Sequence, residues 1–480
     1  MSKYSRRDFL RNAGGGLGAF TVGGLIGSTG VFSSLQAAEL EATHPLAPKQ
    51  PHFTPKAKSV IWLHMIGAPA TQDLFDYKPL LDKLHGQEVP QSFLQGIQTS
   101  TQGGVGKLLG SHREWKQYGE SGSWFSDFLP HLAQHADELA YIHSSVTVGA
   151  THDISVIKLN TGALTPGRPA LGAWIQYALG SANPNLPGYL VLSNGGRGLE
   201  SGSVNYSSGF LPAVYSGVPL ALGEEPILYL DRPSLMTAKQ QRQDLDFLRR
   251  FNDYHASRYP TDSEIRARTE AYELAERMQA TVPQVLDLGR ESEATRRLYG
   301  LDDEYTRDYG TNLLRARRLV ENGVRFVHVV SGMADGEKDW DAHDDLITNH
   351  TKQARMVDKP VAALLTDLKA RGMLDSTLVV WTSEFGRTSY GESGSGRDHN
   401  PWGYTQWLAG GGVKGGVHYG QTDEIGLQNA DEATAVDTYD IHATVLNQLG
   451  LDHLRVTYLN QGRSERPTVV YGRVVKEILA

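Results

Sequence analysis

Carboxylates and imidazoles recur in this chain just after short apolar runs, and that placement is where chemistry could arise. After Ser59–Ile66 come Asp73 and Asp76. After Leu139–Val146 come Thr151, His152 and Asp153. After Val324–Val330 come Asp335, Asp339, Asp341 and His343. After Leu378–Ser383 come Glu384 and Arg387, and a little later Asp398 and His399 in the run Gly396-Arg397-Asp398-His399-Asn400-Pro401. If the runs are buried strands, these residues share one edge of a sheet, because open α/β sheets gather ligands beyond the carboxyl ends of their strands. Oxygen and nitrogen donors of this kind suit Zn, Mn, Ca or Mg. A pair of such ions could polarise an ester and hold a nucleophile. Each motif also has a local reading. Asp73 or Asp76 could cap a helix, Asp341 and His343 could open one, Glu384 could pair with Arg387, and Asp398-His399 could be a polar turn. His64 sits inside a strand pattern and His442 on an amphipathic helix, so both read as structural.

The elements that must position these residues follow from periodicity. Helices are expected over His152–Thr161 and from about His343 to Arg371, the second stopped by Gly372. A long charged helical stretch runs from Asp262 to Asn322, with breaks near Pro283 and Gly300. Ser193–Leu235 is Gly- and Ser-rich and reads as a loop, a lid or a rim. Strand, helix and strand at this spacing form βαβ units, which build parallel sheets. Trp340, Trp402 and Trp407 lie near the candidate residues and could stack on sugar rings, although core packing is the commoner use of Trp.

The front of the chain reads as an address. Ser5-Arg6-Arg7-Asp8-Phe9-Leu10 before a mild Gly-rich apolar run is a twin-arginine export signal over residues 1–38, followed by a tether over 39–58 and one large α/β domain over 59–480. That route carries folded proteins, so the twin-arginine translocon is the expected partner during export, and the periplasm or cell surface the expected location. The net charge is −8, and the leader carries +3 of it, leaving −11 on the mature part. Such a balance argues against a nucleic-acid partner, which wants basic clusters. There are no cysteines, which excludes disulfides, thiolate metal sites and cysteine nucleophiles.

Taken together the motifs resemble a known group. Gly67-x-Pro69-x-x-x-Asp73-x-Phe75-Asp76-x-Lys78-Pro79, His152 with Thr161-Gly162, Gly209-Phe-Leu-Pro-Ala213, Trp340-Asp341-x-His343, Ser383-Glu384-Phe385-Gly386-Arg387-Thr388, Gly396-Arg397-Asp398-His399 and the glycine run ending at Gly416 are similar to the exported, sulfatase-like family of unknown function designated DUF1501. The likeness runs from about Val60 to the C-terminus. Ala70 stands where many members carry Ser. That family is similar to the alkaline phosphatase and sulfatase superfamily. The resemblance therefore implies a doubly wound, mostly parallel sheet flanked by helices, alkaline phosphatase-like, with a metal site at its edge. It implies metal ligands among Asp73, Asp341, His343, Glu384, Asp398 and His399. Sulfatases carry their nucleophile nine residues before a Thr-Gly pair, and that slot here holds His152. The late Asp-His pair of phosphatases reads Glu384-Phe385. His152 could thus be a nucleophile, or replace the lost imidazole at the metal, or mark a fold that only binds. Arg387 could neutralise charge on a transferred group. The implied activity is hydrolysis of sulfate or phosphate esters, with a carbohydrate or small ester as substrate. The alternative is a catalytically degenerate binding or assembly protein at the cell surface, with another exported protein as partner.

Overall fold

The computed structural model describes residues 44–97, 104–194, 199–223, 225–228, 230–259, 263–332, 339–392 and 394–480. The twin-arginine segment and Asp335 lie outside these. The sequence Ser59-Val-Ile-Trp-Leu-His64 forms strand β1, and every one of its residues is buried. A strand covered on both faces needs such a continuous apolar run rather than an alternating one. Around it in chain order come β2 (Leu139–Ser145), β3 (Tyr189–Ser193), β4 (Val218–Leu220), β5 (Phe326–Val330) and β6 (Thr377–Thr382). A hairpin of β7 (Gly386–Gly391) and β8 (Arg397–Asn400) follows, then β9 (Tyr404–Ala409) and β10 (His418–Tyr419). Eight of these make one sheet in the order β10-β2-β9-β6-β1-β5-β3-β4. All its pairings are parallel except the two made by β9.

Helices flank the sheet as the βαβ reading requires, except that Ala238–Arg258 is largely exposed and packs on the helix that follows it. They are α1 (His152–Thr161), α2 (Leu171–Leu179), α3 (Ala238–Arg258), α4 (Ser263–Leu286), α5 (Arg307–Glu321), α6 (Leu346–Ala370) and α7 (Thr438–Gln448). On one face Trp62 of β1 meets His442 of α7 edge-on, and His442 Nε2 donates to the carbonyl of Leu159 in α1. His442 is therefore structural, as its pattern suggests. The fold is a doubly wound, mostly parallel sheet flanked by helices. Among the described residues no helix is long and apolar enough to cross a membrane.

Three differences from the sequence reading have simple causes. The loop-like Ser193–Leu235 segment contains β4, a three-residue edge strand too short to leave a pattern. β9 runs against its neighbours after a connection of only three residues, so no helix announces it. The tether reading of 39–58 does not describe residues 44–58, which lie against the domain. Lys49 N–H donates to Leu179, His52 and Phe53 to Gly450, and Lys56 and Ala57 to Gln448. Leu46 joins the core.

That docking depends on a glycine. Gly180 follows α2 at φ +64°, and a Cβ there would lie 1.9 Å from the Ala47 carbonyl. Gly180→Ala should therefore cost about 1–3 kcal/mol. Limited proteolysis of that variant should open residues 44–58 before the rest of the chain. Equal proteolytic lifetimes for both proteins would show that the segment is not held there.

Candidate metal centre

The register of the central strands brings the site segments together. His64 pairs with Val330 on one side and Thr382 on the other, so the chains leaving β1, β5 and β6 emerge side by side. Two glycines let them close up. Gly67, at φ +93°, has Asp339 Oδ1 2.2 Å and Asp341 N 2.6 Å from where a Cβ would sit. Gly396, at the start of the hairpin's return, lies 2.0 Å by the same measure from the His343 carbonyl carbon. Trp340 is fully buried against His350, and its backbone N–H donates to the Ile66 carbonyl. That anchor turns its neighbours Asp339 and Asp341 into the cleft. Helix α6 begins at Leu346 with Asp345 as its cap, so Asp341 and His343 precede the helix and have no capping duty.

Four side chains converge. Asp341 Oδ1 lies 3.2 Å from His152 Nε2, 3.0 Å from His343 Nε2 and 3.3 Å from His399 Nε2. The Nε2 atoms of His343 and His399 are 2.9 Å apart. All four donor atoms fall within 4.8 Å of one another. The far nitrogen of each imidazole already has an oxygen acceptor. His152 Nδ1–H donates to Glu384 Oε1 at 2.7 Å, His399 Nδ1–H to the Ala150 carbonyl at 2.6 Å, and His343 Nδ1–H to Glu392. A donating Nδ1–H fixes the tautomer and leaves Nε2 as a lone pair, the arrangement found around metal-bound histidines. Two lone pairs at 2.9 Å repel unless a proton or a cation lies near both. His152 Nε2 is buried with no aligned hydrogen-bond partner, although the Asp341 oxygen is close. Four ligands at about 2.0–2.1 Å from a tetrahedral ion stand roughly 3.3 Å apart. The three spacings from Asp341 Oδ1 and the His343–His399 spacing sit at or just inside that value, and every pair lies within 4.8 Å, so the residues fit a small divalent ion.

Electrostatics agree with the geometry. Burial alone would lower the His152 imidazole, but the Asp341 and Glu384 carboxylates beside it hold it up at about 10. Burial likewise works against ionised Asp341, and the three imidazoles with the Arg387 charge overcome it, holding the carboxyl far below its usual range. Glu384, also fully buried, is held down by His152 and His64. Asp339 behaves oppositely. Burial first, then the Glu384 and Asp341 charges, push it up to about 6.

The remaining candidates have other places. Asp73 is fully buried in an ion pair with Arg397, whose Nε donates to Asp73 Oδ2 at 2.8 Å. It is not among the residues whose ligand atoms gather in the imidazole cluster. Asp76 pairs with Lys78 at 3.0 Å and accepts from Thr422. Glu384 stands behind His152 instead of beside the ion position. Asp398 accepts the His399 N–H through Oδ1, and with His343 and Glu392 makes a second group whose ligand atoms lie within 4.8 Å of one another and could hold an ion, so it keeps its place as a candidate ligand. Arg387 was expected to clamp a transferred group. It is instead buried, donating to the carbonyls of Gly67, Ala68 and Arg397 and to Asp341, which leaves it the role of holding Asp341 in place. Trp340 and Trp407 are fully buried core residues. Glu392 and the Ala150 carbonyl escaped the sequence reading, because a glutamate in a Gly-rich turn and a backbone oxygen leave no pattern.

The chain belongs to the family described as "Protein of unknown function (DUF1501)", whose model matches residues 57–479. No curated protein matches it. Among solved structures it is similar to the lipoteichoic acid synthase LtaP from Listeria monocytogenes, at 10% identity and a TM-score of 0.34, over 86% of this chain and 78% of that one. The PsFucS1 sulfatase from Pseudoalteromonas sp. is similar at 14% identity and 0.35, over 86% and 70%. Alkaline phosphatase from the Antarctic bacterium TAB5 is similar at 11% and 0.31, over 82% and 98%.

With His152 protonated in the ion-free cluster, uptake of a cation must expel that proton. Affinity should therefore rise by about tenfold per pH unit below pH 9. Calorimetric titration with Zn²⁺ in buffers of different ionisation enthalpy should show at least one proton released per ion. A binding constant independent of pH between 6 and 8 would contradict the assignment of His152.

Proposed function

Taking membership of that family as the starting point, we propose that the protein is an exported metal-dependent hydrolase of sulfate or phosphate esters, acting in the periplasm or at the cell surface. The observation that carries this reading is the convergence of His152, Asp341, His343 and His399 through ligand atoms whose far sides are already fixed. Three imidazoles and one carboxylate favour a zinc-like ion over calcium or magnesium, which prefer all-oxygen shells. Such an ion, when bound, supplies Lewis acidity and lowers the pKa of a water molecule. Asp341 and His343 are about one-third exposed, whereas His152 and His399, each 12% exposed, form the less accessible back wall. Substrate therefore reaches the site from the Asp341–His343 side. Glu384, Glu392 and the Ala150 carbonyl orient the three imidazoles, and Arg387 keeps Asp341 turned toward them. The slot expected to hold a nucleophile carries His152, whose two nitrogens face Glu384 and the ion position. This favours direct attack by water over a covalent histidine intermediate.

A second reading has its own support in Arg387, which is buried and spends four of its five N–H groups on internal acceptors, and so is poorly placed to meet a transferred anion. An ion in the cluster would then only tie together the three segments that meet there, in a protein that binds a glycan or an exported partner. The mature chain loaded with Zn²⁺ and offered aryl sulfates and aryl phosphate mono- and diesters separates the two. The hydrolase should turn over at least one class, with about one ion per chain, and His399→Ala should cost at least roughly 100-fold in kcat/KM. A zinc-loaded protein inert to every class, whose Tm falls on chelation, would establish the second reading instead.

A further inference from the structure

Glu384 lies wholly inside the protein, and its two oxygens are served unequally. Oε1 accepts from Gly67 N–H at 2.8 Å and from His152 Nδ1–H at 2.7 Å. Oε2 accepts from His64 Nε2–H at 3.2 Å, its one hydrogen-bond partner among the described residues. An ionised carboxylate can only accept, so the proton on that contact belongs to His64. The neighbouring imidazole continues the chain. His64 Nδ1 lies 3.3 Å from His328 Nε2, with the two rings stacked 5.5 Å apart. Burial, then the nearby His64, push His328 well below the ordinary imidazole range, so it is neutral and its Nε2–H donates to His64. The donors thus all point one way, from β5 through β1 to the residue that follows β6.

We propose that His64 is a positioning residue for the metal centre: it pins Glu384, and Glu384 in turn holds His152 as the Nδ1–H tautomer with Nε2 aimed at the ion. The inference rests on the metal-centre reading given above. His64 and His328 are both fully buried among the apolar strands β1 and β5. Apolar side chains there would avoid the desolvation of two imidazoles, a cost that the Glu384 contact offsets. Removing His64 strands Oε2 without a donor. The carboxylate then gains by turning toward the donors it still has, and His152 loses the alignment of its Nδ1–H bond. Second-sphere partners of this kind commonly change metal affinity by 10–100-fold.

The test uses the mature chain with Zn²⁺ as probe. His64→Leu removes the donor. His64→Gln restores an N–H that reaches the same oxygen, and His64→Asn supplies one too short to reach it. Zinc affinity by chelator competition should fall about 10–100-fold in the Leu and Asn variants and recover to within about threefold in the Gln variant. In the zinc-loaded protein the slowly exchanging imidazole N–H signal of His152 should persist in wild type and the Gln variant and be lost in the other two. Equal zinc affinity in the Asn and Gln variants overturns the proposal, and that comparison stands even if the Leu variant fails to fold. Wild-type protein that takes up no zinc would sink the metal-centre reading itself. Normal uptake by wild type and all folded variants would sink this inference alone.

Discussion

Everything at the working edge of this protein depends on one crowded contact. Three imidazole nitrogens press against a single carboxylate oxygen, and two of those nitrogens lie 2.9 Å apart. The far side of each ring is already bound to an acceptor, so the near sides of His343 and His399 turn toward each other while protonated His152 turns its Nε2 toward Asp341. Such a cluster is stable only with positive charge at its centre. One proton shared with Asp341 satisfies part of it, which is why His152 is held so basic. A divalent cation satisfies all four groups together.

The scaffold spends much of its local irregularity on making that contact possible. Gly67 and Gly396 remove side chains where two backbones cross. Trp340 acts as a peg between two acidic neighbours. Arg387 ties the turn after β1 to Asp341, and the buried Asp73–Arg397 pair anchors the hairpin that carries His399. Losing one partner of such a pair exposes the other charge to an apolar interior, which explains why these carboxylates look ligand-like in sequence yet serve the frame. The hairpin itself returns Asn400 beside Gly386, so its two strands move as one support for the site.

Much of this was legible in the residue order. The strands at Ser59, Leu139, Tyr189, Phe326 and Thr377 are apolar runs that could only be buried, and α1 spans the residues its pattern indicates. His152, Asp341, His343 and His399 follow strands, and the strand-end rule places them on one edge. The distinction between ligand and buttress was not legible. Asp73 and Asp341 have the same chemistry, and only the tertiary position of Arg397 turns the first into an ion-pair partner. Glu384 and His64 likewise acquire meaning through contacts more than 300 positions away in sequence. Arg387 differs for a similar reason: neighbouring carbonyls, invisible to residue-type reasoning, take up its donors.

The most direct measurement is anomalous scattering from crystals of the protein grown with Zn²⁺. The account predicts a single strong peak about 2.0–2.2 Å from the Nε2 atoms of His152, His343 and His399 and from a carboxylate oxygen of Asp341. A zinc-saturated crystal with no density between those four atoms, or with the ion ligated elsewhere, would contradict it.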